Sequence, residues 1–168
     1  MKVSFVLLLV ALFFAGGCAG EGTKDVGAVS KGLGEQHRFA LPNLAGEEVK
    51  LEALLAKNKA VLLNFWASWC PPCREEIPGL IELQKRFGDS GFTVLGIDVG
   101  ESKTKVQSFV GKIGINYPVV LDEDMSVSEA YRVVGIPTSF LLNSKGEVLG
   151  VYHAYTEELV RDVEEALR

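Results

Sequence analysis

WASWCPPCREE, residues 66–76, is the most informative stretch of this 168-residue chain, because it holds two cysteines one helical turn apart. The apolar run at residues 60–65 before it predicts a buried strand, and residues 75–87 show helical spacing. At such a strand-to-helix junction, free backbone N–H groups and the positive end of the helix dipole favour the thiolate of Cys70. The stretch therefore predicts a redox-active pair, in which Cys70 is the exposed, attacking thiol.

Strands and helices alternate along the rest of the chain, which predicts an α/β fold with a mixed central sheet covered by helices on both faces. The predicted order is a hairpin within residues 38–51, helix 51–56, strand 60–65, helix 73–87 bent near Pro78, strand 92–98, helix 102–113, strand 118–121, helix 126–131, a hairpin of strands 139–142 and 148–152, and a last helix capped by Thr156.

The first 17 residues have the features of an export signal. Lys2 is followed by an apolar run at residues 3–15 that is too short for a comfortable membrane span. The run ends in Ala15-Gly16-Gly17-Cys18, which resembles the lipobox of bacterial lipoproteins and implies lipidation of Cys18. We expect residues 1–17 to be a signal peptide, 18–36 a lipid anchor with a flexible tether, and 37–168 the folded domain. A soluble secreted form and an uncleaved anchor are the alternatives, and each of them places the domain outside the cytoplasm.

The charge and the cysteine and histidine content exclude several kinds of partner and site for the folded domain. The net charge of −5 argues against nucleic acid or anionic lipid as a direct partner. If Cys18 is lipidated, Cys70 and Cys73 are the only cysteines left in the domain, so no structural disulfide is available. Structural zinc needs about four ligands, and His37 and His153 lie far from the cysteines in sequence, so neither a metal nor a cofactor is expected.

The motif at residues 64–73, together with Gly135-Ile136-Pro137-Thr138, resembles the thioredoxin superfamily and is most similar to its extracytoplasmic TlpA/ResA-like branch. The predicted N-terminal hairpin and a central strand and helix insertion at about residues 99–121 match that branch. Residues 99–103, VGESK, resemble the ResA-type insertion. The resemblance implies the thioredoxin fold and a cis Ile136–Pro137 bond that faces the two cysteines.

Roles for individual residues follow from the motif and the resemblance. Cys73 is expected to resolve the mixed disulfide, and Glu76, on the same side of the helix, to accept its proton. Thioredoxin uses a buried acid on the preceding strand, where this chain has Asn64. The alternative is that Glu76 is a solvated helix residue, as its neighbour Glu75 would be. Client contacts are assigned to the exposed aromatic, the two prolines of the motif and the cis bond: Trp69, Pro71, Pro72, Ile136 and Pro137.

The resemblance implies a membrane-anchored thiol-disulfide oxidoreductase that acts as a reductant on protein disulfides, with apocytochrome c as the client during cytochrome c maturation. Electrons would arrive from a membrane thiol carrier of the CcdA/DsbD kind. A disulfide oxidase or repair protein is one alternative. A peroxiredoxin-like peroxidase and a non-enzymatic binding lipoprotein are the others, although Cys70 lacks the Thr-x-x-Cys setting of the former and both cysteines are present, contrary to the latter.

Overall fold

The computed structural model describes residues 37–168. Its elements, in chain order, are β1 (Ala40–Pro42), β2 (Glu48–Lys50), α1 (Leu51–Leu55), β3 (Ala60–Trp66), α2 (Pro71–Phe87), β4 (Phe92–Val99), α3 (Lys103–Ile113), β5 (Val119–Asp122), α4 (Ser126–Ala130), β6 (Thr138–Asn143), β7 (Val148–Tyr152) and α5 (Glu157–Ala166), with a 3₁₀ turn at Gly88–Ser90 after α2.

A five-stranded mixed sheet in the order β5-β4-β3-β6-β7 forms the centre of the molecule. Strands β3, β4 and β5 are parallel, while β6 runs antiparallel to β3 and β7 antiparallel to β6. All seven residues of β3 are buried, as its continuous apolar sequence predicts for a strand covered on both faces. Because β3 and β4 are parallel, the loops that follow them leave the sheet at the same edge.

Two apolar clusters cover the two faces of this sheet. One contains side chains from α2, α3 and α5, and the other contains side chains from the β1–β2 hairpin, α1 and α4. Trp66 is fully buried in the first cluster against Phe109, and Tyr117 lies in the same cluster. Tyr131 packs in the second cluster. These four aromatic residues are therefore packing residues of the two clusters.

The two features that distinguish the predicted branch are both present. Strands β1 and β2 form an antiparallel hairpin, which reaches the main sheet through a bridge between Asn43 and Val120. Helix α3 and strand β5 form the central insertion, and β5 adds to the sheet beside β4. The α/β thioredoxin fold with a hairpin and an insertion is therefore confirmed.

Helix α2 begins earlier than the sequence indicates, at Pro71 rather than Cys73. Proline is tolerated in the first turn, where its missing N–H has no intrahelical partner, so the two prolines begin the helix rather than delay it. The predicted signal peptide, tether and lipidated Cys18 lie outside the described residues. Within residues 37–168, no helix has both the length and the apolarity needed to cross a bilayer.

Candidate active site

Cys70 and Cys73 are joined in a disulfide at the start of α2, with their Cα atoms 5.3 Å apart. Cys70 occupies the N-cap position, and Pro71 and Pro72 follow as the first two helical residues. Because neither proline has an N–H group, Cys73 provides the first amide of the helix, and that amide donates to Cys70 Sγ over 3.3 Å. The unpaired donor that we expect to stabilise a Cys70 thiolate is therefore directed at its sulfur.

The expectation that Cys70 is an exposed thiol is wrong for the disulfide form. Cys70 is only 2% exposed, and Cys73 is 0% exposed. Cys70 packs in the apolar cluster that also contacts Ile136, and its sulfur lies 3.7 Å from the Ile136 carbonyl oxygen. The sequence places Cys70 at a helix start, where side chains are commonly exposed, but it does not show that a loop 66 residues later covers this position.

The Ile136–Pro137 peptide bond is cis, as the resemblance predicts. Pro137 is buried and Ile136 is half-buried. The next residue, Thr138, begins β6 opposite Phe65 of β3, which brings the cis bond to the edge of the sheet that carries the cysteines. The Thr138 hydroxyl donates to the Gly135 carbonyl over 2.6 Å and lies 3.1 Å from Nδ1 of His153. These contacts hold the loop in place beside the disulfide.

The other residues assigned to client contacts lie at the surface near the disulfide. Trp69, which immediately precedes Cys70, is 60% exposed, and Pro71 and Pro72 are also exposed. Val134, which is not among the residues predicted to contact a client, is 99% exposed and precedes Gly135 and Ile136. An apolar residue beside the Gly-Ile-Pro motif is the only signal that could have identified it.

Glu76 is buried on the inner side of α2, 6% exposed, and not solvated like its exposed neighbour Glu75. Its Oε1 accepts a 2.7 Å hydrogen bond from the Asn64 side-chain amide, which also donates to Ser139 Oγ. Burial raises the pKa of Glu76 to about 7, although the bond from Asn64 opposes the shift. A carboxyl group with this pKa can both accept and release a proton near neutral pH.

Two further acidic residues near the cysteines were missed as individual functional candidates. Glu101 is buried and contacts Ser68, two residues before Cys70, and Asp98 is buried at the end of β4. The signals were available: Asp98 interrupts an apolar strand, and Glu101 lies within the VGESK segment.

The histidines are not part of the cysteine site. His37 packs against Tyr131, and His153 contacts Thr138. Over residues 37–168, no three His, Cys, Asp or Glu side chains are arranged to hold a metal ion.

Comparison with known proteins agrees with this geometry. The model of the AhpC/TSA family matches residues 34–151. Thiol-disulfide oxidoreductase ResA of Bacillus subtilis (strain 168) is 41% identical over 125 residues, which are 74% of this chain and 69% of the relative. ResA of Halalkalibacterium halodurans is 34% identical over 137 residues, which are 80% and 77% of the two chains.

Among solved structures, a thiol:disulfide interchange protein of the thioredoxin family from Chlorobium tepidum TLS superimposes with a TM-score of 0.69 at 34% identity, covering 78% of this chain and 94% of that one. The fold, the disulfide at the start of α2 and these relatives agree in one assignment. The chain belongs to the AhpC/TSA family of the thioredoxin superfamily and is a thiol-disulfide oxidoreductase of the ResA-like branch.

Proposed function

We propose that the chain is an extracytoplasmic reductant of protein disulfides. In this proposal Cys70 attacks the client disulfide, Cys73 resolves the mixed disulfide, and Glu76 accepts the proton of the Cys73 thiol. The client class is apocytochrome c, whose CxxCH cysteines must be reduced before haem attachment. The observation that supports the proton-transfer step is the buried Glu76 carboxyl, which lies on the inner side of the same helix turn as the buried Cys73 and has a pKa near neutrality. The client class and the direction of electron flow are proposed from the ResA-like resemblance.

The exchange balances without a cofactor. In the reduced protein, the Cys70 thiolate attacks one sulfur of the client disulfide; a mixed disulfide forms and the second client sulfur leaves as a thiolate. Cys73 transfers its proton to the Glu76 carboxylate and attacks Cys70 Sγ. The mixed disulfide then breaks, and the client sulfur that Cys70 attacked leaves as a thiolate, which takes up a proton from solvent. Two electrons pass to the client, and the protein is left with the Cys70–Cys73 disulfide.

Client binding in this proposal uses the surface around the disulfide. A segment of the client in extended conformation would pair with the backbone at Ile136, next to the cis bond, and would pack against Trp69. Because this pairing uses backbone atoms, client recognition would depend little on the client's side chains. The exposed Pro71 and Pro72 lie at the same helix start as Trp69 and border the path of the client.

The location and the electron source rest on the N-terminal sequence. Residues 1–17 have the pattern of an export signal, and Cys18 lies in a lipobox-like segment, so we propose a membrane-anchored lipoprotein whose domain lies in the periplasm or on the outer face of the cell membrane. Outside the cytoplasm, a reductant needs its disulfide reduced again after each turnover. A membrane thiol carrier of the CcdA/DsbD kind would supply those electrons.

The test has two parts, the first being the reduction potential of the Cys70–Cys73 couple of the purified chain in graded thiol buffers. A value near or below about −220 mV supports a reductant, whereas a value near about −120 mV would make the protein an oxidant and overturn the direction. The second part measures reduction of a CxxCH peptide disulfide by the reduced protein. Replacing Cys70 by Ser should abolish it, and peroxide consumption in its place would indicate a peroxidase.

Glu76→Gln, with Glu75→Gln as the matched control on the exposed side of the helix, isolates the proton-transfer step. General-base assistance is worth roughly 10²-fold or more, so Glu76→Gln should slow resolution of the mixed disulfide by about that factor near neutral pH. The control should react at the wild-type rate. Equal rates in both variants would remove Glu76 from the mechanism.

A further inference from the structure

Glu101 contributes a second buried carboxylate close to the cysteines, from the loop between β4 and α3. Its side chain is 4% exposed. One oxygen accepts the backbone N–H of Ser68, and the other accepts the Ser68 hydroxyl over 2.9 Å and pairs with the Lys105 ammonium. Glu101 lies 33 residues after Ser68, but the parallel β3 and β4 bring the two loops to the same edge of the sheet.

Ser68 belongs to the turn that leads directly to the disulfide. The Cys70 N–H donates to the Ala67 carbonyl over 3.2 Å, which makes Ser68 and Trp69 the two central residues of this turn. Trp69 is exposed, so it does not fix the turn from the outside. Glu101 holds both the backbone and the side chain of the other central residue. The position of Cys70 relative to the first amide of α2 therefore depends on this carboxylate.

Asp98 completes the arrangement from the strand before Glu101. It is fully buried, and among the described residues no hydrogen bond of ordinary geometry reaches its carboxyl oxygens, although the nearby Glu101 backbone N–H lowers the pKa of Asp98 in part. An ionised carboxylate in that position would be costly, but a protonated one can donate its O–H to the neighbouring Glu101. Burial, followed by the hydrogen bond and the charge of Glu101, raises the pKa of Asp98 to about 8.

The pKa values of the two acids are shifted in opposite directions, which favours the negative charge on Glu101. Burial alone would raise the pKa of Glu101, but hydrogen bonds from Lys105, Ser68 and Asp98 outweigh burial and lower it. Glu101 and Lys105 are the groups whose charges act on Asp98. The other titratable groups on this face are Arg74 of α2, which lies over the Phe109 ring, Glu76, which is bonded to Asn64, and Tyr117, on which the charge of Glu76 acts.

We propose that Glu101 is a positioning residue for disulfide exchange, which fixes the turn carrying Cys70 through its hydrogen bonds to Ser68. The proposal rests on Cys70 being the attacking thiol. Glu101 does not touch the client or either sulfur. It holds the nucleophile where the Cys73 amide can stabilise the thiolate, which is the kind of preorganisation that reactive sites depend on.

The test compares Glu101→Gln, Asp98→Asn and the exposed control Glu129→Gln in the full chain. Each is measured for kcat and KM on the CxxCH peptide disulfide, for the pH profile of Cys70 alkylation, and for secondary structure by circular dichroism. Glutamine has an NH2 group in place of one carboxylate oxygen. That group is a donor, so it would lie opposite another donor, either Ser68 or Lys105. We expect Glu101→Gln to lower kcat about tenfold with KM unchanged and to shift the alkylation profile.

Asparagine at position 98 keeps a donor towards Glu101 and cannot ionise. Asp98→Asn should therefore work within about twofold of wild type near pH 6, because a neutral polar group remains beside Glu101. If Glu101→Gln does not fold, Glu101→Asp gives the readout, because it keeps the charge but is too short to hold Ser68. It should show the same fall in kcat.

Two results would overturn the positioning role. One is that the Glu101 variant, Gln or Asp, has the same kcat and the same alkylation profile as the wild type. The other is an Asp98→Asn variant that loses as much activity near pH 6 as Glu101→Gln does. Failure of the proposed function is visible separately, because the wild-type protein would then leave the peptide disulfide intact or would be alkylated first at Cys73.

Discussion

Glu76 and Glu101 both have little solvent-exposed surface, but the pKa of Glu76 is raised and that of Glu101 is lowered. Glu76 receives one neutral hydrogen bond, from Asn64. Glu101 receives two hydrogen bonds from Ser68 and an ion pair from Lys105. Two glutamates with little exposed surface thus differ in which protonation state the protein favours.

The difference shows that donors around a carboxyl with little exposed surface can reverse the effect of desolvation, which is itself stronger at the deeper Glu76. Desolvation acts on both residues in the same direction, and a cation with several donors is needed to reverse it. A carboxyl with few donors remains able to exchange a proton, which suits the role proposed for Glu76. A carboxylate with many donors holds its neighbours in place, which suits the role proposed for Glu101.

The largest expected effect concerns the pH dependence of stability at Glu76. Its folded-state pKa is about 7, against 4.5 for the free side chain, so between these values the folded protein keeps a proton that the unfolded chain has lost. Its contribution to stability is fully present below pH 4.5 and is lost as pH rises through 7. The loss amounts to about 3 kcal/mol.

Glu76→Gln should therefore lose less stability than wild type over this interval, and Glu75→Gln should follow wild type. Denaturant unfolding of the oxidised proteins is measured at a series of pH values, and the free energy of unfolding of each variant is subtracted from that of wild type. Asp98 is present in all of these proteins, so its contribution cancels in the difference. A flat difference between Glu76→Gln and wild type would mean that Glu76 is ionised throughout, as Glu101 is, and the contrast between the two residues would disappear.

The second-largest effect is expected for Glu101→Leu, which should lower the free energy of unfolding by about 2 kcal/mol at neutral pH. The change leaves the Ser68 N–H without its acceptor and Lys105 without its partner, and a buried donor without a partner costs about 1–3 kcal/mol. Lys105 is half exposed and contributes little of this.

Chemical denaturation measures the loss at Glu101, with Glu129→Leu as the exposed control. Glu76→Leu should cost less, about 1 kcal/mol: it leaves one N–H of the buried Asn64 amide without its acceptor, but it also removes a carboxyl group that desolvation disfavours at neutral pH. The contrast would be weakened if the two leucine variants were equally stable.

The smallest effect is expected at Gly96, which lies on β4 opposite Asn64 and two residues before Asp98, between the two carboxyl sites. A Cβ atom there would lie 3.1 Å from Trp66 Nε1 and 3.2 Å from Tyr117 Cε2. Both rings are buried and cannot move freely, so Gly96→Ala should destabilise the fold by about 1 kcal/mol through overpacking.

Gly111→Ala is the matched control for Gly96→Ala. No atom lies within 4 Å of its Cβ position, and Gly111 lies inside α3. Alanine there should stabilise the protein by up to about 1 kcal/mol through helix propensity. Thermal unfolding should show opposite shifts in Tm for the two variants. A stabilised Gly96→Ala would mean that the space between the carboxyl sites is looser than the distances indicate.

Most of the fold follows from local patterns in the sequence. The continuous apolar run of β3, the helical spacing of α2 and the turn at residues 143–146 each specify an element by short-range physics, and the elements lie within two residues of the predicted positions. The start of α2 differs because proline has two uses, as a breaker within a helix and as a favoured residue in its first turn.

The sequence by itself determined the paired cysteines, the strand and helix around them and, through resemblance, the cis proline. These depend on residue types at fixed short spacings. Tertiary structure decided that Cys70 is covered by Ile136, that Glu76 is paired with Asn64, and that Glu101 reaches Ser68. Those contacts join residues brought together by parallel strand pairing and by the packing of α2 on the sheet. The charge of a buried carboxyl depends on such neighbours, and residue spacing alone does not fix them.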